Sequence, residues 1–178
     1  MTLPVAYQDV PKVRANMVQG ANGVFVDANG SSRGISNPLD RERLLELRKL
    51  ADVVVTDGET ARLEAYRIPL GADLAVITRT GFKPAAGSST RKYLEIRMSP
   101  DEAIKYLLQL GYCRILLEVG PSVLSEIVAA GLVDELCLTN TDSSKPALSA
   151  LGIASAELVH HEQLQDTSFG VWREIQAL

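Results

Sequence analysis

Two stretches of this chain share one form, and they limit its fold more than any other feature. One is VVVTDGET, residues 53–60, and the other is ILLEVGPS, residues 115–122. Each begins with a short β-branched or aliphatic run that carries no charge until it ends, at Asp57 in one and Glu118 in the other. Each then passes a glycine and enters a helix-forming stretch. A run that is apolar at both alternating positions suits a strand covered on both faces, as in parallel sheets. Parallel neighbours must be joined by crossovers, usually helices. Glycine supplies the tight turn and the close backbone approach such a corner needs.

The rest of the chain supports this reading. Residues 12–18 alternate polar and apolar and meet Gly20 and Gly23, which predicts a strand entering a turn. Asn37 suits an N-cap and Pro38 a first helical position; the residues that follow place Leu44, Leu47 and Leu50 near one stripe of an amphipathic helix. Residues 73–78 read as a strand and 93–97 as a weaker one. Ser99-Pro100-Asp101-Glu102 is a capping box that starts a helix running to Gly111. A strand follows at 114–119, a helix from Gly120 to about Gly131, and a strand at 134–139. Residues 156–162 and 169–176 read as two final strands, antiparallel neighbours at the sheet edge. The expected fold is a three-layer α/β arrangement, a mainly parallel sheet with helices on both faces and antiparallel C-terminal edge strands. Residues 28–37 and 80–90 are turn-rich but too short for linkers, so residues 1–178 are expected to form one domain.

Composition then narrows the function. The chain is 46% hydrophobic and 22% charged, values of a globular protein rather than a disordered one. A net charge of −4 argues against a surface devoted to nucleic acid. Cys113 and Cys137 lack zinc spacing and read as small core residues, so no metal site is expected. Neither a signal peptide nor an apolar run of about 20 residues is present, which points to a cytoplasmic protein with no membrane partner.

Ligands of open α/β sheets sit at the C-terminal ends of the strands, so both corners are candidate sites. Each is either a phosphate-receiving helix start or an ordinary strand-to-helix turn. Glu118 ends an apolar strand, where a carboxylate is costly without a partner or a task. It either serves a ligand or bonds a neighbouring strand's backbone. Adjacent strand residues face opposite sides, so Leu117 and Val119 are expected to face away from Glu118. By the same rule His160 and His161 do not act as a pair, and both read as surface residues, while Trp172 packs in the last strand.

The ordered set VRANMVQGANGVF, SSRGISNPLDRERLLELRKLADVVVTDGETARLEAY and RILLEVGPSVLSEIVAAGLVDELCLT, within residues 13–66 and 112–139, resembles the reductase domain of riboflavin biosynthesis. It is closer still to the stand-alone pyrimidine reductases. The resemblance implies a dihydrofolate-reductase-like fold, a homodimer paired through C-terminal strands, and NADPH-dependent reduction of a ribosylamino-pyrimidine phosphate. It places cofactor contacts on Gly34, Thr60, Glu64, Thr78, Gly120, Pro121 and Ser122, and substrate contacts on Ser32, Arg48 and Glu118, with Glu118 also catalytic. Arg48 would face the substrate phosphate; the other reading pairs it with Asp52 at i, i+4. Arg79, Lys83, Arg91 and Lys92 read as solvated surface or as a cationic cluster favouring NADPH over NADH.

The chain departs from the family in several places. Asn22 stands where the family has an acid, Asp57 puts a negative charge beside the expected phosphate, and Val119 stands where a glycine would admit it. The 78–99 segment is shorter, and the stretch from Asn140 through Ser143 to Pro146 replaces a glycine-containing loop. These changes support a second reading, a diverged member that binds a small molecule or a partner without catalysis.

Overall fold

The computed structural model describes residues 3–142 and 144–178; Met1, Thr2 and Ser143 lie outside the described residues. Its elements run β1 (Val13–Gln19), α1 (Pro38–Leu50), β2 (Val53–Asp57), α2 (Gly58–Leu63), β3 (Asp73–Ile77), β4 (Tyr93–Ile96), α3 (Pro100–Gln109), β5 (Ile115–Leu117), α4 (Pro121–Ala129), β6 (Glu135–Asn140), β7 (Ile153–Leu164) and β8 (Thr167–Ala177). They form an eight-stranded sheet in the order β4-β3-β2-β5-β1-β6-β8-β7. The first six strands of that order are mutually parallel. β8 runs antiparallel to β6, and β7 antiparallel to β8. The expected α/β class and antiparallel edge are therefore observed.

Local chemistry accounts for the boundaries. Asn37 caps α1 by accepting from the Asp40 amide, with Pro38 next in line. Ser99 and Glu102 form the reciprocal box at the start of α3. Gly111 and Gly131 take positive φ values of 91° and 66° just past α3 and α4, where a β-carbon would be strained.

Alternation along β5 separates two apolar layers. Ile115, Leu117 and Val119 pack with Ile104, Leu107, Leu124 and Ile127 of α3 and α4. Leu116 packs on the other face with Leu47 of α1, Ala61 of α2, Val54 and Leu74. Val119 is thus a core side chain, 4% exposed, on the face that alternation along the strand predicts, and of the two orientations open to it the one that would block the corner does not occur.

Other expectations also change. The buried residues of α1 are Asp40, Arg43 and Leu47, not a leucine stripe, because Arg43 finds Glu162 and two aromatic rings inside the protein. Cys113 is exposed rather than a core residue. The four cations do not cluster. Arg79 follows the C-terminal end of β3, whereas Lys92 borders its N-terminal end, where its amide bonds Asp73. A five-residue parallel strand is about 16 Å long, so the two ends cannot hold one phosphate together. Trp172 packs partly buried against the core of β8, as expected. His160 meets the Tyr7 ring edge-on at 5.8 Å, and His161 is exposed.

Past the Ala15–Leu117 pair, β1 continues along β6 to Gln19 while β5 has ended. The sheet therefore splits between β1 and β5 at the C-terminal ends of its strands. The chain leaves β1 toward β2 through α1 on one face and leaves β5 toward β6 through α4 on the other, which makes the split a topological switch point. No helix among the described residues is long and apolar enough to cross a membrane.

Candidate functional site

A cavity of about 700 Å³ opens at the split. Its walls come from β1 (Asn16, Met17, Val18), from Asp40, Leu44 and Arg48 at successive turns of α1, from the residues after α2, and from the Glu118–Pro121 corner. Spacing of four residues puts Asp40, Leu44 and Arg48 on one helix face.

Glu118 follows β5 and is 6% exposed. Its two carboxylate oxygens accept from Arg48 Nε at 2.8 Å and Nη2 at 2.6 Å, a two-bond fork. The Tyr66 hydroxyl donates to the same carboxylate, and the Arg48 guanidinium lies 5.4 Å from the Tyr66 ring. Burial, then the Glu118 charge, raises the Tyr66 hydroxyl well above its ordinary value of 10. Arg48 is also raised: burial works against its charge, but Glu118 outweighs it. Of the two readings of Arg48, the pairing with Asp52 does not occur; Asp52 holds Arg114 instead. Glu118 and Arg48 come together as one group. Tyr66, which sequence reasoning did not single out, completes it.

Asp57 ends β2 and caps α2. One oxygen accepts from the amides of Glu59 and Thr60 at 3.0 and 2.9 Å. The other accepts from the Thr60 hydroxyl at 2.8 Å and from the Gly120 amide at 2.7 Å. The carboxylate thereby ties the two corners together.

Ser32 and Glu64 line the cavity but face each other. Glu64 accepts from the Ser32 amide and hydroxyl at 2.9 and 3.1 Å, from the Ser31 hydroxyl at 2.6 Å, and from Arg33. Burial pushes the Glu64 carboxyl up, yet these donors prevail and hold it below the usual carboxylate value. Thr60, Gly120 and Pro121 also border the cavity. Gly34, Thr78 and Ser122 do not. A β-carbon on Gly34 would strike Asp27, and Thr78 lies under Gly58, whose β-carbon would stand 2.6 Å from its hydroxyl. Ser122 is exposed on α4. Asn22 holds a positive φ of 61° in a short turn after β1.

The residues present do not fit a dinucleotide pyrophosphate at the Gly120 corner. The Gly120 amide and the first amides of α2 already serve Asp57, which is itself an anion, and of the expected cations Arg79 and Lys92 lie at opposite ends of β3.

No family model and no curated relative matches the sequence. Solved structures do. A pyrimidine reductase-like protein from Corynebacterium diphtheriae superposes with a TM-score of 0.74 at 19% identity, covering 98% of this chain and 95% of its own. The diaminohydroxyphosphoribosylaminopyrimidine deaminase/5-amino-6-(5-phosphoribosylamino)uracil reductase of Thermotoga maritima gives 0.66 at 16% identity, covering 93% of this chain and 57% of that one. RibD of Acinetobacter baumannii gives 0.71 at 15% identity, with 92% and 58% covered. The chain thus spans somewhat over half the length of the last two and nearly all of the first. At these identities the likeness concerns architecture, and this chain has the fold of the pyrimidine reductase-like structures.

Proposed function

We propose that the cavity binds a small polar ring of the pyrimidine class, recognised by Glu118, Arg48 and Tyr66. The observation that carries this is the ion-paired Glu118 on the wall of a 700 Å³ cavity at the switch point. A carboxylate accepts from ring N–H groups, a guanidinium donates to ring carbonyls or a phosphate, and a tyrosine ring offers a stacking face. Arg48 is a quarter exposed and can turn from Glu118 toward a ligand. Calorimetry with 5,6-diaminouracil and uridine 5′-monophosphate tests the reading. Binding is expected, weakened about 10- to 100-fold in Arg48→Ala. Failure of both probes to bind the wild type at about 1 mM would remove it.

A second reading is NADPH-dependent reduction of a ribosylamino-pyrimidine phosphate. It is favoured by the shared fold and by Ser32, Thr60, Glu64, Gly120 and Pro121 bordering the same cavity as Glu118. It requires Asp57 to release Gly120. NADPH oxidation in the presence of the ribosylamino substrate is its assay. Under either reading the chain is taken as one domain acting in the cytoplasm as a homodimer paired through β7 and β8, where Leu158 and Val159 are exposed. Sedimentation showing a monomer at micromolar concentration would exclude the dimer.

A further inference from the structure

We infer that Asp57 is a specificity-determining residue that bars diphosphate-bearing ligands from the cavity by acting as the chain's own anion at the corner between α2 and α4. The inference rests on the reading of the cavity as a ligand site. A carboxylate has about four acceptor positions. Asp57 uses four: the Glu59 and Thr60 amides, the Thr60 hydroxyl and the Gly120 amide. Two of these amides open α2 and one precedes α4, so Asp57 takes part of the donor set that the corner offers an incoming anion, while Ser122 and Val123 of α4 are not among its partners. Asp57 is 8% exposed, so solvent screens its charge little.

Shape adds to charge. The open side of Gly120 is where a close backbone approach would occur, and a β-carbon there would stand 3.5 Å from the Asp57 carboxylate and 3.6 Å from the Thr60 hydroxyl. Thr60 and Gly120 line the cavity, and the Asp57 carboxylate lies directly behind them at ordinary contact distance. Among the described residues no arginine or lysine bonds the Asp57 carboxylate itself. Arg62 turns to Thr80 and Gly81, Arg33 holds Glu64, and Arg48 holds Glu118. A diphosphate at the corner would therefore lose the Glu59, Thr60 and Gly120 amides and approach a buried negative charge. The ligands admitted are those that engage Arg48 and Glu118 without one: free bases, nucleosides and monophosphates.

The experiment compares NADPH and inorganic pyrophosphate binding by calorimetry in the wild type, Asp57→Asn and Asp57→Gly. Asparagine still caps a helix, so Asp57→Asn keeps the α2 start while its amide becomes a donor instead of a charge. A far-UV spectrum and melting curve confirm folding, and Asp57→Asn carries the result where Asp57→Gly fails to fold. NADPH is expected to bind Asp57→Asn at least about tenfold tighter than wild type, with pyrophosphate following the same order. Micromolar NADPH binding by the wild type, or equal affinities in wild type and variant, would overturn the inference. Uridine 5′-monophosphate titrated into the same samples separates the two proposals. If it binds the wild type while Asp57→Asn gains no diphosphate affinity, only the role of Asp57 fails. If it binds neither protein while diphosphate affinity rises, only the pyrimidine reading fails.

Discussion

Glu135 opens one buried strand and Glu118 follows another in the parallel part of the sheet, and each accepts from arginine on neighbouring elements. Glu135 opens β6, accepts from Arg14 at 2.6 Å and Arg173 at 2.8 Å, and is completely buried, with Arg14 only 3% exposed. Glu118 follows β5, accepts from Arg48 and Tyr66, and its arginine is 25% exposed over a cavity. The chemistry is similar and the access of water differs at one arginine: Arg14 is closed to it, while Arg173 on the rim of the same cluster is 32% exposed. The first cluster lies at the N-terminal ends of its strands and is further tied to the Tyr7 and Asp9 carbonyls. The second lies at the C-terminal ends, where the sheet splits. Arg14 has no route to solvent and finds all its acceptors inside the protein, so its pair with Glu135 holds the structure together. An open pair can give its cation to a ligand.

The largest effect is expected from Glu135→Ala. Removing one member of a sealed pair leaves Arg14 charged and buried, which costs about 3–5 kcal/mol. For a chain of this size that lowers the melting temperature by about 6–20 °C. Urea unfolding with the double variant Arg14→Met, Glu135→Leu as companion sharpens the point: it removes the two buried charges and should recover most of the loss, since the third, Arg173, is 32% exposed and keeps Asp9. If Glu135→Ala melts within about 2 °C of wild type, the buried cluster is not structural.

Glu118→Gln should cost much less, about 1 kcal/mol, because Arg48 can turn to water and the substituted side-chain amide can still accept from Tyr66 through its oxygen. The same variant should weaken pyrimidine binding about tenfold or more, since the charged acceptor is gone. The ratio of those effects is the test: a Glu118→Gln protein as unstable as Glu135→Ala, with ligand affinity intact, would put Glu118 in the structural class.

Much of the fold was legible because local signals agree with the global one. The Asn37-Pro38 start, the Ser99–Glu102 box and the apolar runs of β2 and β5 all predict what forms. The alternation through Leu117, Glu118 and Val119 also places the glutamate opposite the core face. The limits of such signals are clear in DELCLT, where Glu135 has the same residue type in the same kind of apolar strand, yet only spatial partners distinguish it from Glu118. Asp57 and Gly120 are 63 residues apart, so the sign of the Asp57 charge was readable but its bond to the other corner was not. The buried face of α1 was misjudged for a related reason. Arg43 is at home inside only because Tyr7, Phe169 and Glu162, all remote in sequence, surround it.

The smallest expected effect isolates Tyr66 from Arg48 within the open cluster. Burial and the Glu118 charge hold the Tyr66 proton well above the ordinary value of 10, and Tyr7, Tyr93 and Tyr112 shift the same way, Tyr112 to about 12. Above about pH 10 the unfolded chain releases these protons while the native state keeps them. The native state then binds more protons, so stability is present below that pH and is lost as pH rises. Arg48, raised as well, stays charged throughout and adds nothing to this slope. Tyr66→Phe removes one of the four tyrosine contributions. Urea unfolding at intervals between about pH 10 and 11 should give a shallower loss than wild type, by up to ~1.4 kcal/mol per pH unit. The ring and its place under Arg48 remain, so the curves should converge near pH 7 apart from one lost hydrogen bond of about 1 kcal/mol. Identical slopes in the two proteins would mean that neither burial nor Glu118 holds the Tyr66 proton, and that the open cluster consists of the arginine–carboxylate fork alone.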